Sequence, residues 1–175
     1  CGGGIICEPL ARLGAKVTGI DFAPNNISAA KIHSKKNKLK INYIHKDVEK
    51  SKLDGKFDLI LMFEVLEHLD DWKKTIKKIK KNLNKNGIII ISTINRNLLS
   101  KLFAISIAEN ILKWIPKGTH DYYKLIKPEE LKKTLTQENF HFKNIKGLVF
   151  DPLSREWKLS KNFMVNYFCT ANLIN

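Results

Sequence analysis

The chain has 175 residues, 43% of them apolar and 9% aromatic, enough to bury one core and to exclude general disorder. Its net charge of +14 comes from 31 basic against 17 acidic residues, yet 28 of the basic residues are Lys and only 3 are Arg, beside 22 Ile and 16 Asn. Arg is the planar, bidentate reader of phosphates and bases, so this lysine surplus argues against nucleic acid and better suits an anionic surface. No apolar run reaches the length needed to cross a bilayer, and Cys1, Cys7 and Cys169 lack both CxxC spacing and disulfide density, which suits a reducing compartment.

The chain opens Cys1-Gly2-Gly3-Gly4, a run that normally follows other sequence, so an upstream segment is expected. Residues 5–13 read as a short helix with Pro9 near its first turn. A strand over 15–21 ends on Asp21, a helix covers about 25–37, and Ile41 to His45 alternates like a strand and ends near Asp47. Phe57 to Phe63 is an almost unbroken apolar run, as a strand covered on both faces would be. Trp72, Ile76, Ile79 and Leu83 mark one buried helix face, with lysines filling the solvated remainder and Asn86-Gly87 as the stop. Ile88 to Ile91 is another buried strand. After an interruption at about 96–127, Pro128 opens a helix, and strands follow at about 141–150 and 163–172. Alternating strands and helices with short connections predict a parallel, doubly wound α/β sheet forming one domain over 1–175.

In such a sheet, ligands bind outside the carboxyl ends of the strands. Gly2 and Gly4 would let the backbone approach a ligand, with a helix N-terminus behind them. Asp21, at a strand's end, is placed to take both hydroxyls of a ribose. Asp47 could supply a carboxylate to an adenine amino group, and Phe63 and Met62 would line the same pocket. A dinucleotide fingerprint needs Gly three residues after the second glycine, where Cys7 stands. These features predict a nucleoside-containing cofactor of another kind.

Together they resemble the class I S-adenosylmethionine methyltransferases, whose glycine loop runs acid-x-Gly-x-Gly-x-Gly. Only x-Gly2-x-Gly4 is present, so the resemblance implies a Rossmann-like sheet lacking its first strand. Further segments are similar to the ubiquinone biosynthesis O-methyltransferases: Val17-Thr18-Gly19-Ile20-Asp21, Phe63-Glu64-Val65-Leu66-Glu67-His68, Ser92-Thr93-Ile94-Asn95-Arg96-Asn97, Pro116-Lys117-Gly118-Thr119-His120-Asp121 and Val165-Asn166-Tyr167. That family methylates catechol-type hydroxyls of polyprenylated rings. The resemblance therefore implies S-adenosylmethionine as cofactor, a polyprenylated phenolic substrate, and a place in a ubiquinone-biosynthesis complex. It also implies a peripheral position on the inner face of a bacterial inner membrane, or on the matrix face of a mitochondrial one.

Methyl transfer to a phenol needs a phenolate, and phenols ionise near pH ~10. A base or a metal ion must therefore supply the missing driving force. Glu64, Glu67 and His68 fall at i, i+3 and i+4, so on a helical turn they would share a face and could bind a divalent cation. In the resembling family this segment is associated with Mg2+, which makes the three expected metal ligands. His68 and His120 are the candidate catalytic bases, with Asp121 able to orient His120. Leu98 to Ile115 carries Leu99, Phe103, Ile107, Ile111 and Trp114 at near-helical spacing, with Lys101, Lys113 and Lys117 beside them. This suits an interfacial helix, so 98–117 is the expected contact with an anionic membrane.

Overall fold

The computed structural model describes residues 1–101, 121–151 and 154–174. His120, and residues 102–117 of the expected membrane segment, lie outside the described residues. The chain divides into two compact units, Cys1–Leu53 and Asp54–Asn175.

The first unit contains α1 (Cys7–Arg12), β1 (Thr18–Asp21), α2 (Pro24–Lys36) and β2 (Asn42–His45). β1 and β2 pair in parallel, from Thr18 opposite Asn42 to Asp21 opposite His45. Parallel neighbours need a crossover, and α2 supplies it. Pro24 sits in the first turn of α2, where its fixed φ suits the helix and its missing N–H costs nothing. The helix buries Ile27, Ala30 and Ser34, one face of its surface. Ile27 and Ala30 pack with Cys7 and Tyr43 into a small core, flanked by Val17 and Ile41. A second tie joins the helices: buried Glu8 meets His33 Nδ1 at 2.6 Å and accepts from the Asn37 amide at 3.0 Å.

The second unit is a five-stranded sheet in the order β3-β4-β7-β5-β6, built from β3 (Phe57–Phe63), β4 (Leu83–Ile94), β5 (Phe140–Asp151), β6 (Glu156–Ser160) and β7 (Asn166–Leu173). β3 and β4 are parallel, joined through α3 (Trp72–Ile79), whose Asp71 cap accepts from the Lys74 N–H at 2.9 Å. The sheet is mixed, not parallel throughout: β7 runs antiparallel to both β4 and β5, and β6 antiparallel to β5. Apolar alternation marks a strand but carries no information on its direction, which is why the all-parallel expectation failed here. Strand β6 was not foreseen.

Helix α3 also ends earlier than its periodicity suggests. It stops at Ile79, a 3₁₀ turn spans Lys80–Asn82, and Leu83 already starts β4. Asn86 is left-handed as expected (φ 60°), but it turns an irregular stretch of β4 and does not end a helix. Beyond β4, α4 (Leu98–Ser100) is capped by the Asn97 side chain. α5 (Pro128–Gln137) begins with Pro128 in its first turn and buries Leu131, Thr134 and Leu135. The Asn95-Arg96-Asn97 segment acts as a staple. The Asn95 amide donates to the Phe163 carbonyl, the Asn97 amide to the Met164 carbonyl, and Arg96 pairs with Glu130 of α5.

Candidate active site

In the first unit, the turn after β1 gathers backbone donors on one carboxylate. Gly2 N–H donates to Asp21 Oδ2 at 2.8 Å, and Ala23 N–H donates to Oδ1 at 2.9 Å. The Asn26 amide adds a bond to Oδ1 at 3.2 Å, and the Cys1 amino group lies 2.9 Å from Oδ2. Burial alone would raise the Asp21 pKa. The Ala23 and Gly2 N–H groups, both donating to it, act the other way and hold the carboxyl below its ordinary value. Asp21 is thus an acceptor-only group at neutral pH, tied to the glycine loop it faces.

The glycines divide their work. Gly2 has φ 53°, and a Cβ there or on Gly3 would meet nothing within 4 Å, so this backbone is open to a ligand. Gly4 (φ 89°) is different, because a Cβ would strike the Tyr43 hydroxyl. Its missing side chain serves packing beneath the loop, not close approach from above. Tyr43 is buried, its hydroxyl lacks a hydrogen-bond partner, and burial pushes its pKa up to about 12. Sequence reading missed this support; the signal was an aromatic at an inward position of β2. Asp47 caps its own turn, accepting from the N–H groups of Glu49 (2.8 Å) and Lys50 (3.2 Å).

In the second unit, the carboxyl ends of β3 and β4 carry the remaining candidates. The Phe63 ring packs edge-on against Phe168 of β7, centroids 5.4 Å apart, and Met62 is buried beside it. Glu64 is exposed and left-handed (φ 50°). It is fastened to Ser92 at three points: Glu64 N–H donates to Ser92 O (3.0 Å) and Oγ (3.2 Å), and the Ser92 hydroxyl donates to Glu64 Oε1 (2.7 Å). Glu67 is only 3% exposed, and neither of its carboxyl oxygens has a hydrogen-bond partner. Burial first, and the Glu64 carboxylate second, push its pKa up. Ser92 and Thr93 follow the apolar run Ile88 to Ile91 where β4 nears its carboxyl end; the sequence marks them as part of a family-like segment but gives them no role beside Glu64.

The expected metal triad does not form. Leu66–His68 is a 3₁₀ turn, in which i+4 lies about 120° away from i, and Glu64 stands outside it with left-handed backbone. Glu64 and Glu67 come together, and His68 is exposed. Among the described residues, no three His, Cys, Asp or Glu side chains gather closely enough to hold a metal ion. The donors present therefore do not fit the Mg2+ site that Glu64, Glu67 and His68 were expected to make.

Comparison with known proteins agrees with the fold and the loop. Residues 1–145 match a methyltransferase domain family. Among solved structures, a S-adenosylmethionine-dependent methyltransferase from Clostridium acetobutylicum superposes with a TM-score of 0.75 at 15% identity, over 100% of this chain and 82% of that one. Magnesium protoporphyrin IX methyltransferase from Synechocystis, with bound SAH, gives 0.70 at 20% identity, over 99% and 70%. Fold and glycine loop thus define a class I S-adenosylmethionine-dependent methyltransferase. Two curated relatives named ubiquinone biosynthesis O-methyltransferase sharpen this: that of Rickettsia typhi is 46% identical over 96% of this chain and 68% of its own length, and that of Pelagibacter ubique is 48% identical over 95% and 70%. The chain belongs to the ubiquinone biosynthesis O-methyltransferase family.

Proposed function

We propose that the chain moves the methyl group of S-adenosylmethionine to a catechol-type hydroxyl of a polyprenylated ring. The acceptors would be polyprenyl dihydroxyphenol or dihydroxybenzoate and demethylubiquinol. The names of the relatives support the pathway, and the chemistry of the residues supports the roles. Asp21 takes the ribose hydroxyls, with Gly2 and the loop that Gly4 shapes beside it. Asp47 serves the adenine amino group, and Phe63 flanks the cofactor through backbone and ring.

The observation that carries the reading is the carboxyl pair: exposed Glu64 pinned by Ser92, with buried, unpartnered Glu67 behind it. An in-line attack by a phenolic oxygen requires loss of its proton. A carboxyl buried beside a second carboxylate holds a proton far better than one in water. Glu64 accepts the proton at the surface, and protonated Glu67 behind it leaves Glu64 as the one charged carboxylate of the pair. His68 and His120 are assigned as further proton carriers, with no step resting on a metal ion. Residues 98–117 are assigned to an anionic membrane surface, in keeping with an acceptor that resides in the bilayer. No helix among the described residues is long and apolar enough to cross a membrane. The family match across residues 1–145 supports treating both units as one methyltransferase domain.

With a water-soluble catechol as acceptor, Glu64→Gln and Glu67→Gln should each lower kcat by about 10²-fold or more while leaving S-adenosylmethionine affinity unchanged. Full turnover in both variants would remove the carboxyl pair from the mechanism.

A further inference from the structure

Past Lys146, β5 leaves the β7 ladder and continues beside β6, from Gly147 opposite Ser160 to Asp151 opposite Glu156, with the Leu148 N–H still donating to Asn166 Oδ1 at 2.9 Å. The result is a two-stranded ribbon, a form that is marginal in water without something against one face. Its two faces differ sharply. Leu148 pairs with Leu159 and Phe150 with Trp157, so strand alternation puts all four on one side. Phe150 is 50% exposed, Trp157 62% and Leu159 67%, and the two aromatic rings pack against each other at 5.4 Å. The other side carries Val149, Asp151, Glu156 and Lys158, with Lys158 paired to Asp151 at 2.7 Å. Both acids of the ribbon therefore sit away from the apolar face. Lys146 shares the apolar face by alternation, and Arg155 and Lys161 bracket β6.

We propose that this face of the β5–β6 ribbon docks on an anionic lipid bilayer. Trp and Phe seat well at the boundary between headgroups and acyl chains, and basic side chains around them find negative headgroups while no acid on that face opposes the approach. A watery protein partner would not require the charge on this face to be of one sign. The inference rests on the reading that the acceptor carries a polyprenyl tail, since only then does bilayer contact serve catalysis. The ribbon and residues 98–117 are different stretches of the sequence, and either can be tested alone.

The test is co-sedimentation of the full chain with vesicles of phosphatidylcholine and phosphatidylglycerol, or of phosphatidylcholine alone. Phe150→Ser with Trp157→Ser should lower the vesicle-bound fraction about tenfold. Because both side chains are exposed, circular dichroism and S-adenosylmethionine affinity should not change. Lys146→Gln with Lys161→Gln should remove the preference for phosphatidylglycerol. Brominated phosphatidylcholine should quench tryptophan fluorescence, and Trp157→Phe should abolish that part of the quenching. Vesicle binding by the double serine variant equal to the parent's would overturn the proposal. So would loss of self-association in that variant, seen by sedimentation equilibrium, with vesicle binding intact, because the face would then join two copies. Methyl transfer to a water-soluble catechol separates the two readings. Transfer without ribbon-dependent docking rejects the ribbon alone, and ribbon-dependent docking without transfer supports the ribbon and rejects the function.

Discussion

Asp21 accepts two backbone N–H bonds beside a glycine loop whose backbone is open at Gly2 and Gly3, so the carboxylate that shapes the turn is also the one proposed to take the ribose. Replacing it with Asn keeps the size but removes the charge that strengthens each of these bonds. Asp21→Asn should weaken S-adenosylmethionine binding by about tenfold or more, the worth of one charged hydrogen bond, in isothermal titration calorimetry. Unchanged affinity would show that the ligand does not use this carboxylate. Glu67 invites a different measurement. Its pKa is lifted from 4.5 to about 8, chiefly by burial. Between these values the native state keeps a proton that the unfolded chain gives up, so stability is full at low pH and falls as pH rises through this window. Glu67→Gln should flatten that fall and leave the variant about 1–3 kcal/mol more stable than the parent at pH 8. Thermal melts in chelator from pH 5 to 9 would check it; parallel profiles for the two proteins would contradict it.

At the scale of elements, two contacts hold the site's supports in place. Gly4 is at φ 89° with the Tyr43 hydroxyl where a Cβ would lie, so Gly4→Ala is opposed by both backbone and packing. A loss of about 1–3 kcal/mol is expected, read by urea denaturation, with Tyr43→Phe relieving part of it. In the other unit, Ile76 of α3 is fully buried, and Ile76→Ala should cost about 2–5 kcal/mol. Much of this layer was legible in the sequence. The spacing of Trp72, Ile76 and Ile79 gave α3 its buried face, Pro128 placed the start of α5, and the apolar run Phe57 to Phe63 coincided with β3. The end of α3 was not legible, because Leu83 fits the helical face equally well as the first buried residue of a strand. Strand β6 was hidden for a related reason: its alternation spans five residues, and its partner is the outer half of β5 alone.

For the molecule as a whole, the legibility of the site follows sequence distance. Gly2 and Asp21 lie within one glycine-helix-strand unit, so their spacing foretells that they meet. The Glu64-x-x-Glu67-His68 spacing misled, because a left-handed Glu64 breaks the helical face on which the triad depended. Ser92, 28 residues from Glu64 along the chain, could be connected to it only by the parallel pairing of β3 with β4. The +14 charge is spread over lysines, and in the proposed docking face Lys146, Arg155 and Lys161 would give part of it a local use near exposed Phe150 and Trp157. The proposed reaction places a methyl group on a prenylated catechol. It is read by incubating the chain with isotopically methyl-labelled S-adenosylmethionine and a prenylated catechol in anionic vesicles, then analysing the ring by mass spectrometry. One labelled methyl ether for each S-adenosylmethionine consumed is the expected product, formed more slowly by Asp21→Asn at limiting cofactor and by Glu67→Gln. Bound S-adenosylmethionine beside an unmodified catechol would contradict it.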